Sequence, residues 1–233
     1  RFAFLAKNCT EMAIMYYAAS KVGVVPVPLN YRLADQEWAY IINDSEAKLI
    51  IVKGNEYSDR INQISSELKN IKKYISVSVD NSIEKFHDFY DWLSDSSNEK
   101  PTLKIHENDD VYQMYTSGTT GHPKGAVLLQ RNVAANIRQY LNSLTLPRPS
   151  RTLLVAPMYH AAAMINMCGC IAIGGTIVIQ EDFIPQDVVD CLANEKITHT
   201  VLVPAMIQAC LVSVPNVASL SLIHISEPTR PLY

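Results

Sequence analysis

An α/β fold with largely parallel sheets flanked by helices is the architecture this sequence predicts. Three observations predict it. Short β-rich runs alternate with helical stretches along nearly the whole chain. A charge-free stretch over residues 152–180 is broken by Pro157, His160, Asn166 and the pair Gly174–Gly175. It therefore divides into strand, turn, helix and strand, a unit buried on both faces and not a membrane span. The composition, 48% hydrophobic and 18% charged over 233 residues, is that of an ordinary globular chain.

The elements follow in order. RFAFLA (1–6) is a strand. Residues 9–21 have helical composition, with Thr10 as the expected N-cap, Glu11 in the first turn and Gly23 as the stop. VVPVPLN (24–30) is extended because its prolines exclude helix. Residues 36–43 form a second helix, KLIIVK (48–53) a buried strand, 57–70 a helix and YISVSV (74–79) a strand. SDSSNEK (94–100) is a solvated loop. VYQMY (111–115) and GAVLL (125–129) are strands on either side of a loop, followed by an amphipathic helix over 132–144. Residues 153–156, 176–179 and 200–203 are further strands with helices between them. In open parallel sheets ligands sit at the carboxyl ends of the strands, so the loop after Tyr115 is expected at such an end.

The net charge of −3 gives no basic field for nucleic acid or an anionic membrane. The five cysteines are odd in number and lack C-x-x-C spacing, so neither a disulfide framework nor a zinc site is indicated and a reduced cytoplasm is the expected compartment. The start on a strand at Arg1, with no signal peptide and no initiator Met, reads as an N-terminal truncation.

The loop carries the chemistry. YTSGTTGHPKG (115–125) packs Thr116, Ser117, Gly118, Thr119, Thr120, Gly121 and Lys124 between two strands. Its glycines can take positive φ and let backbone N–H groups approach an anion. The hydroxyls add donors, Lys124 adds a mobile charge and Pro123 stiffens the return. Together they suit a triphosphate. Only Thr119 and Thr120 separate the glycines, and Gly125 follows Lys124, so this is not a Walker A loop. The competing reading is a Gly/Thr-rich hairpin turn with no ligand.

On spacing alone, His160 after Pro157-Met158-Tyr159 reads as a hydrogen-bonded core histidine. His122 reads as solvated, since a carboxylate needs no base to be ionised at neutral pH. His87, His106 and His199 show no ligand spacing, and Glu107, Asp109 and Asp110 read as a solvated turn.

The segment YTSGTTGHPKG resembles the signature of the adenylate-forming superfamily, which includes acyl-CoA synthetases, luciferases and adenylation domains of peptide synthetases. VPLNYRL (27–33), INDSEAKLIIV (42–52), LLQRNVAAN (128–136), APMYH (156–160) and HTVLVPAMIQACL (199–211) extend the resemblance over nearly the whole chain. Gln130 departs from it, standing where a His is frequent. The superfamily's later motifs, its carboxylate ligand for Mg²⁺ among them, do not occur.

The resemblance implies an incomplete N-terminal domain over residues 1–219. It implies ATP, Mg²⁺ and CoA as cofactors and cosubstrate, and a small-molecule carboxylate as substrate. It implies that Thr116, Ser117, Gly118, Thr119, Thr120, Gly121 and Lys124 hold the phosphates, and that His160 lies at the acyl pocket, with Ala161, Ala162 and Ala163 leaving room for an acyl group. The implied activity is fatty-acid or hydrophobic-acid CoA ligation, with this fragment catalytically incomplete alone. An amino-acid adenylation domain and a non-catalytic phosphate-binding module are the alternatives. The apolar stretch APMYHAAAMINM leans toward a hydrophobic acid. Residues 220–233 open with LSLIHISEPTR, which resembles translated sequencing adapter, and are expected to be non-native.

Overall fold

The computed structural model describes residues 1–77, 83–116, 121–215 and 217. The expected foreign tail at 220–233 and the end of the strand expected at 74–79 lie outside them. The elements run β1 (Phe2–Leu5), α1 (Thr10–Val22), β2 (Pro26–Leu29), α2 (Asp35–Asp44), β3 (Leu49–Lys53), α3 (Asn55–Gln63), β4 (Lys73–Val77), β5 (Phe86–Asp88) and α4 (Phe89–Ser94). There follow β6 (Asp110–Thr116), β7 (Lys124–Leu129), α5 (Gln130–Ser143), β8 (Arg151–Leu154), α6 (Ala161–Ala172), β9 (Thr176–Ile179), α7 (Pro185–Asn194), β10 (His199–Thr200) and α8 (Pro204–Ser213).

Two parallel sheets carry the fold, in the orders β2-β1-β3-β4-β5 and β10-β8-β9. The α/β architecture of the sequence is thus the observed one. Period-2 alternation explains why the strands are apolar throughout. On β1, Phe2 and Phe4 enter a core shared with α1, α6 and the second sheet, whereas Ala3 and Leu5 enter the opposite core under α2 and α3. On β8, Leu154 faces the shared core, and Leu153 joins Val188, Val189 and Cys191 of α7 on the other side. The charge-free stretch is the strand–helix–strand unit β8–α6–β9. No helix among the described residues is long and apolar enough to cross a membrane.

Local chemistry sets the boundaries. Gly23 ends α1 in the left-handed region at φ 66°, but the N-cap is Cys9 and not Thr10, and its side chain makes no capping bond. Pro26 and Pro28 are tolerated in β2 because it is the outer strand of its sheet, where missing N–H groups break no central ladder. The helix expected over 57–70 stops at Gln63, with a 3₁₀ turn over Ser65–Glu67. Asn43 of α2 draws the chain away: its Nδ2 donates to Glu67 O at 2.9 Å, and its Oδ1 accepts from Lys69 N at 2.9 Å. The strands expected at 153–156 and 200–203 begin earlier and are trimmed at their carboxyl ends, where Pro157 and the helix opening at Pro204 take over. β5 and α4 were not expected. Asp88 starts α4 by accepting from Tyr90 N at 2.8 Å and Asp91 N at 2.9 Å.

One expectation is corrected. β6 does not belong to a parallel sheet. It pairs antiparallel with β7 as a separate two-stranded hairpin, which packs against β2. The loop after Tyr115 therefore joins the strands of a hairpin, as two strands flanking it implied, and does not lie at the carboxyl end of a parallel strand.

Candidate functional site

Thr116 and Lys124 are register partners at the open end of the β6–β7 hairpin. Between them Gly121 takes φ 108°, and a side chain there would meet no described residue within 4 Å. Ser117, Gly118, Thr119 and Thr120 lie outside the described residues. Thr116 and Lys124 are exposed, and among the described residues no carboxylate lies within ion-pair distance of Lys124.

The hairpin neck rests on α2. Tyr115 Oη donates to the Asp44 carboxylate and accepts from Gln113 Nε2 at 3.0 Å. Burial, then Asp44, pushes the Tyr115 phenol well up from its ordinary range, so it stays a donor. His122, exposed as expected, stacks on Tyr40 at 4.8 Å with the rings 19° apart. Tyr40 and Asp44 are one helical turn apart on the same face. Neither was singled out by the sequence, because a seat for a distant loop leaves no local pattern.

Gly125 completes the neck. A Cβ there would lie 2.8 Å from Tyr115 Cζ and 2.5 Å from Gln113 Nε2. Gly125→Ala is expected to destabilise the fold by about 1–3 kcal/mol through overpacking, measured by urea unfolding, and to weaken the Tyr115–Asp44 seat.

A second cluster forms at the carboxyl edge of the parallel strands. Lys7 and Asn8 follow β1, Tyr31 and Arg32 follow β2, Pro157 to His160 follow β8, and Gln180 to Asp182 follow β9. Lys7 Nζ pairs with Asp182 at 2.7 Å. Tyr31 meets the Tyr159 ring edge-on at 5.6 Å, and Arg32 lies over the Tyr31 ring at 5.3 Å. His160 is the N-cap of α6, its ring 4.3 Å from that of Tyr159. The residue is exposed, so the core-histidine reading is overturned. Partial burial of its ring, and then the Arg32 charge, lower its pKa, which leaves the imidazole neutral at neutral pH.

The two clusters are distinct. α2 starts at the carboxyl end of β2 and delivers the chain to the amino end of β3, so Asp44 lies at the amino edge of the sheet. Arg1, just before β1, also holds the hairpin, donating to Gln113 Oε1 and to Asp110 Oδ2, the latter at 3.0 Å. The structure thus gathers Thr116, Gly121 and Lys124 at one end of the hairpin. It places His160 elsewhere, with no contact to them among the described residues.

Of the other histidines, His87 and His106 are exposed and His199 is half-buried. The acidic turn is structural: Glu107 O and Asp109 O accept from Arg131 N and Gln130 N at 2.9 Å each, closing the start of α5. Among the described residues no group of three or more His, Cys, Asp or Glu could hold a metal.

His199 makes a pH prediction. Burial lowers its pKa from 6.5, and its Nε2 is buried without a partner among the described residues. A depressed folded-state value means that stability is fully present above the ordinary value and is lost as pH falls through it toward the folded-state one. The midpoint of thermal unfolding is therefore expected to drop between about pH 7 and about pH 5, and His199→Gln is expected to flatten that drop.

Comparison with known proteins supplies the context. A family model described as AMP-binding enzyme matches residues 1–227. Long-chain-fatty-acid–CoA ligase FadD13 of Mycobacterium tuberculosis is 29% identical over 209 residues, covering 89% of this chain and 40% of that protein. Feruloyl-CoA synthase of Amycolatopsis sp is 30% identical over 210 residues, covering 90% of this chain and 39% of that protein. The chain thus spans about 40% of the length of these curated relatives. Among solved structures, the inhibitor-bound N-terminal domain of FACL13 from Mycobacterium tuberculosis superposes with a TM-score of 0.84 at 28% identity, over 94% of this chain and 53% of that one.

Proposed function

The chain belongs to the AMP-binding enzyme family, and from that premise we propose that it serves the ATP-dependent activation of a carboxylic acid to an acyl-adenylate, followed by thioester formation with CoA. The observation that supports this reading most is the open end of the β6–β7 hairpin. There an exposed Lys124 with no ion pair among the described residues faces Thr116 across the register, beside a positive-φ glycine where a side chain would meet no described residue within 4 Å. Such a set can hold a polyphosphate that a packed turn could not admit.

In this reading Thr116, Ser117, Gly118, Thr119, Thr120, Gly121 and Lys124 hold the β- and γ-phosphates of ATP. Their donors and charge withdraw electron density from the pyrophosphate leaving group. The carboxylate oxygen attacks the α-phosphorus, the α–β bridging P–O bond breaks and pyrophosphate departs. The CoA thiol then attacks the acyl carbon, loses its proton and expels AMP. His160, neutral at neutral pH, lines the acyl side as a hydrogen-bonding group. The described residues offer no carboxylate cluster fitted to Mg²⁺.

The substrate class is a fatty or other hydrophobic acid. The relatives named for long-chain fatty acid and feruloyl substrates support this, as does the apolar Ala161 to Ala163 segment opening α6. The test is carboxylate-dependent ATP–pyrophosphate exchange by the complete enzyme containing this chain, across a series of fatty, aromatic and amino acids. Exchange with hydrophobic acids, and CoA-dependent thioester formation with the same acids, is the expected result. Exchange with amino acids alone would replace this reading with an amino-acid adenylation domain.

A further inference from the structure

Asn8 follows β1, is 5% exposed, and spends its whole amide on backbone far away in sequence. Its Nδ2 donates to Ala156 O and to Gln180 O, each at 3.1 Å. Its Oδ1 accepts from Met158 N at 2.8 Å. The same Met158 is held from the other side: Tyr16 of α1, 1% exposed, donates its hydroxyl to Met158 O at 3.0 Å. The Tyr16 ring is fixed in turn by an edge-to-face contact with Tyr112 at 5.0 Å. Both polar groups of one residue in the turn after β8 are therefore claimed by side chains from the first sheet and its first helix.

That turn is short and leads directly to the candidate site. His160 N donates to Pro157 O at 3.0 Å, and His160 O accepts from Met164 N at 3.2 Å as α6 begins. Between the β8 strand and that helix start, Met158 is the residue whose N–H and C=O are both held by side chains from the first sheet and its first helix, with Ala156 O held beside it. An ordinary packing contact would not need three directional bonds from one buried amide. Each such bond fixes a direction as well as a distance.

We propose that Asn8 and Tyr16 are positioning residues for His160: by fixing the N–H and C=O of Met158 they set where the imidazole stands against Tyr159 and the acyl substrate. The proposal rests on the reading that His160 serves adenylate chemistry, and it makes the register between the two parallel sheets a determinant of the reaction. Neither residue touches the reacting atoms.

The test uses the complete enzyme containing this chain, with Tyr16→Phe and Asn8→Ala. Tyr16→Phe keeps the ring and removes only the hydroxyl, so it remains informative if Asn8→Ala fails to fold. Two readouts are taken: kcat and KM for ATP in pyrophosphate exchange, and the His160 ring titration by histidine-labelled NMR, with His160→Gln identifying the resonance. The expected result for Tyr16→Phe is a fall in kcat of about tenfold with KM for ATP unchanged, together with a displaced His160 titration. If the His160 titration is displaced while His160→Ala retains full exchange, the positioning stands and the catalytic reading of His160 fails. If the folded variants show unaltered titration and unaltered kcat, even with a lowered melting temperature, the two side chains only stabilise the fold and the positioning role is overturned.

Discussion

Lys124→Ala is expected to lower carboxylate-dependent pyrophosphate exchange by about 10²–10³-fold, the loss that follows removal of one preorganised charge from a developing anion. The residue is exposed, and among the described residues it makes no ion pair whose loss would unfold the protein. Its strand partner Thr116 and the antiparallel ladder through Tyr115–Gly125 and Met114–Ala126 remain in place when its side chain is cut back. The loss should therefore appear in kcat/KM with the unfolding midpoint unchanged. Lys124→Arg keeps the charge but spreads it over a planar fork, and should restore only part of the activity. Exchange that survives Lys124→Ala undiminished would remove the hairpin from the reaction.

The largest expected effect on stability is at Trp38. The side chain is fully buried at the centre of the core between the first sheet and α2 and α3. Its Nε1 donates to Asn30 O at 2.9 Å, Tyr57 meets it edge-on at 6.1 Å, and the Arg60 guanidinium lies 3.9 Å above the ring. Arg60 is itself anchored, donating to Asp35 Oδ1 at 2.7 Å and to Leu33 O at 3.0 Å. Trp38→Ala therefore opens a cavity, leaves Asn30 O with only its Leu33 N bond at 3.2 Å, and strips the platform from a charged group. About 3–5 kcal/mol of destabilisation is expected by urea unfolding. Trp38→Phe should recover much of the packing and none of the Asn30 bond.

What the sequence made legible was whatever is written locally. KLIIVK announces a strand covered on both faces, and Gly23 announces a helix stop, because each depends on residues within a turn or two. The Gly/Thr-rich loop is likewise a local signal, because the proposal that it binds an anion through backbone N–H groups rests on residue types side by side. Its setting was misplaced: VYQMY looks the same in a parallel sheet and in a hairpin, and only long-range pairing decides between them. β5 and α4 were missed although Asp88 ahead of Phe89 is an N-cap signal. Phe86–Asp88 is too short to show a period, and α4 has only one buried residue.

The supporting residues were beyond reach for a different reason. Asn8 acts across separations of 148 to 172 residues, and Tyr16 across 142. Tyr40 and Asp44 face solvent-side partners that only the folded hairpin supplies. An asparagine after a strand or a tyrosine within a helix has a routine local explanation, and nothing nearby in the chain contradicts it. The site motifs are thus written in short segments, whereas their orientation is written in the contacts between sheets.

The claim at the centre is that the hairpin holds ATP while a carboxylate attacks its α-phosphorus. The most direct measurement follows an oxygen atom. The complete enzyme containing this chain is supplied with a hydrophobic acid labelled with ¹⁸O in its carboxylate, together with ATP and CoA, and the products are read by mass spectrometry. Attack at the α-phosphorus makes the carboxylate oxygen the bridge of the acyl-adenylate, so one ¹⁸O should leave with AMP when the thioester forms, and pyrophosphate should carry none. Label in inorganic phosphate with ADP as the coproduct, or no transfer of label at all, would contradict it.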